Sequence, residues 1–279
     1  MTGDSKAETK ALYVLGRTGE ETERLQGQAE FVRPLTERLF RDAGIGRGMK
    51  VLDLGSGAGD VALLLARLVG PEGAVVGIDK NPSILETARV RAQSAGYDNV
   101  TFEGGDIREL SLPRDFDAAV GRFVLMYMPD PTATMRAVAD HLRTGGIAAF
   151  QEPDFTHSPY AAPPSSLLDQ IWQWISIAFR KSGADLEMGL KLRNLYLAAG
   201  FSDLHLEADR LIGGGADWGG YDHLAGLVKS VLPFLEANGI ATAREVQAET
   251  LAERLRQYIV GNDGVVVWLT LVRLWGRKI

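Results

Sequence analysis

The sequence predicts a doubly wound α/β fold, and three observations carry that prediction. From Met49 onward short apolar runs alternate with amphipathic stretches. One such run, Val51-Leu52-Asp53-Leu54, leads straight into Gly55-Ser56-Gly57-Ala58-Gly59 and then into a helical pattern. Turn and cap residues punctuate the segments at the offsets that strand and helix ends need. Strands that alternate with helices in this way imply a parallel sheet covered by helices.

Each element can be justified in order. Residues 1–10 are polar and are expected to fray. Thr18-Gly19-Glu20-Glu21 reads as a capping box that opens a helix through Leu25, Ala29 and Val32. Pro34 suits the first turn of a second helix carrying Leu35, Leu39 and Phe40, stopped by Gly44. After the strand at Val51 to Leu54, Val61 to Val69 reads as a helix closed by Gly70-Pro71, and Ala74 to Ile78 as a strand. Asn81-Pro82 caps a helix ending at Gly96. Val100 to Phe102 and Phe116 to Val120 read as strands, Thr132 to Leu142 as a helix, and Ile147 to Gln151 as a strand.

In the second half, Pro159 to Pro164 reads as a linker before a helix from Ser165 to Lys181, whose Leu167, Ile171, Trp174, Ile175 and Ala178 share a face. Asp185 is expected to cap a helix ending at Gly200, and Phe201 to Ile212 to form an edge strand. Residues 218–260 read as two helices broken by Pro233 and Gly239, and Gly264 to Trp275 as the last strand. Arg273, Arg277 and Lys278 read as the solvated end of that strand.

Composition narrows the function classes. The 279 residues are 46% hydrophobic, ample for a core, and contain no Cys, which excludes disulfides, thiolate nucleophiles and cysteine-held clusters. A net charge of −6 argues against a general nucleic-acid binder, which needs a basic surface. Apolar runs such as Val265 to Val272 are too short to span a bilayer, and MTGDSKAETK has no apolar h-region, so a cytoplasmic location is expected. No His/Asp/Glu cluster has ligand spacing, so no metal is expected.

The glycine loop is the strongest chemical signal. Glycines permit a sharp turn and close approach of the backbone to a ligand, while a helix N-terminus offers free N–H groups. A dinucleotide fingerprint would need glycine at position 60, where the chain has Asp60. Asp79 ends the second strand, where an acid accepts hydrogen bonds from ribose hydroxyls and disfavours a 2′-phosphate. Asp106 ends the third, placed for the rim of an adenine, and Asp53 adds a carboxylate inside the glycine strand. Three acids around one nucleotide-shaped crevice suit a cationic ligand better than a pyrophosphate.

The segments VLDLGSGAGD, GIDKNPSIL, VTFEGGDIREL, FDAAVGRFVLMYMPDP and LRTGGIAAFQEPD resemble, in order, the motifs of class I S-adenosylmethionine (SAM)-dependent methyltransferases, in particular those of quinone biosynthesis. The resemblance covers residues 49–154 and, less closely, Ala198 to Phe201. It implies a Rossmann-like, seven-stranded sheet with an antiparallel last strand, matched by Val265 to Trp275. By position, Gly55, Ser56, Gly57 and Gly59 would lie beside the methionine part of SAM, with Asp53 counted among the cofactor-binding residues. Asp79 would hold the ribose with Lys80 beside it, Asp106 and Ile107 would contact the adenine, and Arg122 and Phe123 would line the methionine end. The implied activity is methyl transfer to C, O or N of a small hydrophobic or aromatic acceptor. The alternatives are an NAD-dependent oxidoreductase and a SAM-binding protein that does not methylate.

The expected organisation is an N-terminal helical segment, residues 1–48, as a possible lid, then a core of 49–156, 185–212 and 263–279. Insertions 157–184 and 213–262 would form a helical cap. Cap aromatics (Trp172, Trp174, Phe179, Tyr196, Trp218, Tyr221, Phe234) suggest an apolar acceptor pocket, and cap helices also offer a surface for a homo-oligomer. In-line alignment supplies much of the rate, so no triad is required. Candidate bases follow the fifth strand, where open sheets place ligands: Glu152, Asp154 and, first among them, His157. His223 lies in the second insertion, and Tyr13 with Arg17 would help close the site. Replacing Asp79 by Ala should weaken SAM binding by about 1–3 kcal/mol, the scale of hydrogen bonds to a charged group; unchanged affinity in isothermal titration would remove Asp79 from the ribose role.

Overall fold

Apolar β-branched segments flanked by glycine turns set the centre of the sheet. The computed structural model describes residues 19–279. In it β1 (Lys50–Leu54), β2 (Ala74–Asp79), β3 (Val100–Gly104), β4 (Phe116–Arg122) and β5 (Leu142–Asp154) pair in parallel, in the order β3-β2-β1-β4-β5. Between them run α2 (Asp60–Val69), α3 (Pro82–Ser94) and α4 (Pro131–His141), preceded by α1 (Gly19–Asp42). The cap foreseen at Asn81 is real, its Oδ1 accepting from Ser83 N at 3.1 Å, and Asp130, not foreseen, caps α4 with Oδ1 accepting from Ala133 N at 2.8 Å.

After β5 come β6 (Tyr160–Ala162), α5 (Ser166–Lys181), α6 (Met188–Ala198), β7 (Phe201–Gly213), α7 (Gly220–Ala237), α8 (Ala243–Val246), α9 (Ala248–Gly261) and β8 (Val265–Lys278). β8 lies antiparallel between β5 and β7. The described sheet has eight strands, one more than expected, because β6 extends the β5 side of β8 where β5 has ended, opposite Val265 to Val267. The stretch read as a linker thus supplies a strand. α7 packs against α5, α9 and α1. No helix among the described residues is long and apolar enough to cross a membrane.

Two prolines mislead a local reading. α1 is one helix through Pro34, and α7 one helix through Pro233. A proline inside a helix loses one hydrogen bond and costs about 3 kcal/mol. Burial of Val32, Leu39 and Phe40 on α1, and of Val228, Val231 and Leu235 on α7, outweighs that local cost. The capping box at Thr18 begins outside the described residues. Asp185 does not cap α6; Glu187 stands at its N-cap, and Asp185 accepts from Glu187 N at 3.1 Å and pairs with Lys191.

Arg273 is not a solvated end. It stands inside β8 with 0% exposure. Its guanidinium contacts Asp42 of α1 at 2.6 Å, Asp209 of β7 at 2.9 Å, and Glu207. Arg38, one turn before Asp42, reaches Asp209 at 3.1 Å. This cluster fastens the end of α1 to β7 and β8. Replacing Arg273 by Leu leaves three carboxylates facing one another and should destabilise the protein by about 3 kcal/mol in urea unfolding; a change below about 1 kcal/mol would show that the cluster is not an anchor.

Candidate functional site

Open α/β sheets bind ligands beyond the carboxyl ends of their strands, and the polar side chains converge there. The loop after β1 leaves the strand with Gly55 at φ +69°, where a Cβ would collide with the Val124 side chain. At Gly57, φ +52°, a Cβ would meet nothing within 4 Å, so this stretch of backbone is open to approach. Ser56 and Gly59 complete the loop, with Gly59 as the N-cap of α2. Asp79 ties the loop to β2: its carboxylate accepts from Gly57 N at 3.0 Å and from Asn81 N at 2.9 Å. Asp106 lies two residues past β3 and is clamped by Arg108 at 2.6 Å and Lys80 at 2.8 Å. These partners, Arg108 foremost, hold its carboxyl well below the usual range. The third acid is therefore already neutralised rather than free to attract a cation. Ile107 beside it is buried.

The other end of the crevice holds polar atoms without protein partners. Asp53 Oδ2, Ser56 Oγ and Gln151 Nε2 are buried and make no hydrogen bond. Buried polar groups are almost always satisfied, so unpaired atoms toward the carboxyl ends of β1 and β5, with Arg122 of β4 between them, are where a polar ligand would complete the structure. Burial pushes the Asp53 carboxyl up to about 8, opposed by the Arg122 guanidinium and reinforced by Asp79. Arg122, at the end of β4, has its own pKa lowered by burial. It donates to Thr36 Oγ1 of α1 at 3.3 Å, and Thr36 donates to Gln151 Oε1 at 2.9 Å. Sequence reasoning missed Thr36 and Gln151. Their only signal was a polar residue in an otherwise apolar helix face and strand.

Glu152 organises the segment after β4. It is fully buried, and its oxygens accept from Val124 N at 2.9 Å, Leu125 N at 2.8 Å and Met126 N at 3.4 Å. Its carboxylate is thus committed to a single 3-10 turn, Leu125–Tyr127. Desolvation raises its pKa to about 7 despite those three amides. Just before the turn, Phe123 adopts φ +55°, a left-handed conformation that is uncommon for a bulky side chain, fixed by its N–H on Gln151 O at 2.9 Å.

Phe123 also walls a half-open cavity whose other lining residues include Val32, Tyr127, Phe155, Trp172, Phe179, His223, Leu227 and Trp268. Of the cap aromatics, Trp172 and Phe179 face this cavity, while Tyr196 is core with its hydroxyl on Leu274 O at 3.0 Å. His157 does not reach it. It is exposed at a bend, with Nδ1 3.0 Å from Thr156 Oγ1, which in turn donates to Asp154. Of the four histidines only His223 lines the cavity; His141 ends α4 and His205 stands on exposed β7. Tyr13 and Arg17 lie outside the described residues.

A methyltransferase-domain family profile matches residues 45–177. Aklanonic acid methyltransferase DauC from Streptomyces sp. (strain C5) is 31% identical over 192 residues, which cover 65% of this chain and 87% of that protein. The chain belongs to the class I SAM-dependent methyltransferases. A 2-phytyl-1,4-naphtoquinone methyltransferase of Synechococcus elongatus is 38% identical over 128 residues, 45% of this methyltransferase and 52% of that protein. Among solved structures, the YcgJ protein of Bacillus subtilis aligns with TM-score 0.55 at 20% identity, covering 87% of this chain and 97% of that one. The [4+2]-cyclase SpnF aligns with TM-score 0.57 at 19% identity, covering 88% and 80%. These two likenesses show the fold. SAM is the cofactor of this enzyme, and the nicotinamide reading finds no support in these relatives.

Two buried carboxyls with raised pKa set a pH dependence. Each contributes most below its unfolded value, 3.8 for Asp53 and 4.5 for Glu152, and loses that contribution as pH rises through about 8 and about 7. Ligand-free protein should therefore lose stability from pH 5 to pH 8.5. Asp53→Asn should flatten that slope and raise Tm at the alkaline end by at least about 3 °C, the scale of 1 kcal/mol for a protein of this size. A parallel downward curve in differential scanning calorimetry would show that Asp53 does not contribute.

Proposed function

We propose that this methyltransferase transfers the SAM methyl group to C, O or N of a small, planar, hydrophobic acceptor seated in the aromatic cavity. The observation that carries the reading is the cavity itself: aromatic and aliphatic walls, no Asp, Glu, Lys or Arg among its described lining residues, and Phe123 as the wall shared with the crevice. Apolar walls with few polar groups favour flat, uncharged ligands. Aklanonic acid, a phytyl naphthoquinone and demethylmenaquinone in the relatives' names support a ring-bearing acceptor.

The residues fit the cofactor. Asp79 would hold the ribose hydroxyls, and Asp106, kept anionic by Arg108 and Lys80, would meet the adenine with Ile107 beneath it. The open backbone around Gly57 would run along the methionine chain. Arg122 and Gln151 Nε2 would receive its carboxylate, and Asp53 and Ser56 its ammonium. Bound SAM supplies an electrophilic sulfonium methyl. The chain then has to align the acceptor, exclude water and fix both partners, which can lower the barrier by roughly 7–11 kcal/mol in favourable cases. Glu152 acts as a positioning residue, because it holds the turn that carries Met126 and Tyr127 into the cavity wall. A cytoplasmic enzyme with a small-molecule acceptor, and not a nucleic acid, is consistent with the acidic chain.

Isothermal titration with SAM, S-adenosylhomocysteine and NAD in parallel tests the cofactor half; micromolar binding of the first two without NAD is expected, and turnover of SAM to S-adenosylhomocysteine separates methylation from mere binding. For the acceptor half, Leu227→Trp fills the cavity with side-chain volume. It should weaken binding of 1,4-naphthoquinone by at least about tenfold, since overpacking typically costs 1–3 kcal/mol, while leaving S-adenosylhomocysteine affinity unchanged. Equal quinone affinity in both proteins would place the acceptor elsewhere.

A further inference from the structure

We propose that Thr36 of α1 is a positioning residue for the carboxylate of the cofactor: its hydroxyl holds the Gln151 amide by the oxygen, so that the amide nitrogen is left to donate to that carboxylate. The inference rests on the reading that Arg122 and Gln151 receive the carboxylate of the methionine chain. It brings a residue of the first helix into the recognition of SAM.

Counting hydrogens carries the first step. A guanidinium only donates, whereas a threonine hydroxyl can accept and has a single hydrogen to give. Arg122 donates to Thr36 Oγ1 at 3.3 Å, which leaves that hydrogen for an acceptor. Two acceptors are in reach: Gln151 Oε1 at 2.9 Å and, on the same helix, Val32 O at 3.3 Å. The first lies within the ordinary range of O–H···O bonds and the second beyond it, so the hydrogen goes to the amide. An amide gripped by its oxygen turns its nitrogen the other way, and Gln151 Nε2 is buried there without a hydrogen-bond partner.

The register carries the second step. Arg122 of β4 and Gln151 of β5 are paired in parallel, so their side chains leave the sheet on one face. A donor-only guanidinium thus stands beside the donor end of an amide, a pair that suits an anion with oxygens to share. Turned over, the same amide would present its oxygen to that anion. Two buried acceptors would then face each other, with a hydrogen bond lost and repulsion gained. Which end of Gln151 faces the ligand therefore decides the sign of the interaction, and Thr36 decides which end that is.

The third step is what holds Thr36 in place. The residue is buried, and the helix that carries it is fastened away from the crevice. Further along α1, Arg38 pairs with Asp209 of β7 at 3.1 Å and Asp42 with Arg273 of β8 at 2.6 Å. An element outside the sheet thereby orients a side chain of the sheet.

The test uses the full chain and two ligands in competition titrations: S-adenosylhomocysteine and its decarboxylated counterpart, the aminopropyl thioether of 5′-deoxyadenosine. The second keeps adenine, ribose, sulfur and ammonium and lacks only the carboxylate. The wild type should prefer S-adenosylhomocysteine by at least about tenfold, the scale of one hydrogen bond to a charged group. Thr36→Val, which keeps the shape and removes the hydroxyl, should shrink that preference about fivefold, the scale of one ordinary hydrogen bond. Affinity for the decarboxylated ligand should stay unchanged. Thr36→Ser, which returns the hydroxyl, should restore the preference. Thr36→Ala serves if the valine variant does not fold, with the same expected loss. On a Gln151→Leu background, Thr36→Val should no longer alter the preference, because the amide that it orients is gone. An undiminished preference in Thr36→Val, an equal weakening of both ligands, or an equal loss on both backgrounds overturns the proposal while leaving the carboxylate at Arg122. Equal affinity of the wild type for the two ligands overturns the carboxylate reading, and this proposal with it.

Discussion

Arg122, Gln151, Arg273 and Glu207 stand in one register row across β4, β5, β8 and β7, and helix α1 lies over them. Gln151 and Arg273 in this row are fully buried under the helix, so each needs a partner from that helix, a neighbouring strand or a ligand. Thr36 serves Arg122 and Gln151, and Asp42 with Arg38 serves Arg273 and Glu207. What α1 does not satisfy, Gln151 Nε2, is left facing the crevice. Helix α1 is tied to this row, and it touches two places at once: Thr36 bonds Arg122 and Gln151, and Val32, one turn earlier, lines the aromatic cavity.

The segment after β4 is the second organising element. Glu152 and Gln151 are neighbours on β5, one holding the turn by its carboxylate and the other holding Phe123 by its carbonyl. A single strand therefore fixes both the turn after β4 and the Phe123 wall of the cavity. This explains why a fully buried acid is retained where a charge is costly. Its three amide partners would otherwise be unpaired at the centre of the protein.

Much of this was legible in the sequence, and the reasons differ by level. The parallel core was readable because each strand is a short apolar run bounded by glycine, asparagine or aspartate. The places of the glycine loop, Asp79 and Asp106 were readable because they lie at or just past strand ends, which local patterns mark well. Pro34 and Pro233 misled because a local breaker was outweighed by burial along the same helix. Arg273 misled because nothing near it in sequence announces Asp42 or Glu207, which reach it through the fold. His157 was favoured for following the fifth strand, yet the chain turns outward there. His223, far along in an insertion, reaches the cavity only because α7 packs against α1 and β8. Side chains brought together by tertiary packing leave no spacing to read.

The backbone of Phe123 has one more consequence. Its left-handed conformation is one that glycine would occupy without strain, so the stability of the chain and its usefulness as a catalyst pull this position in opposite directions. A glycine at residue 123 would relieve the backbone and remove one aromatic wall of the cavity. The shape of the cavity is thus held in place at the expense of a relaxed backbone.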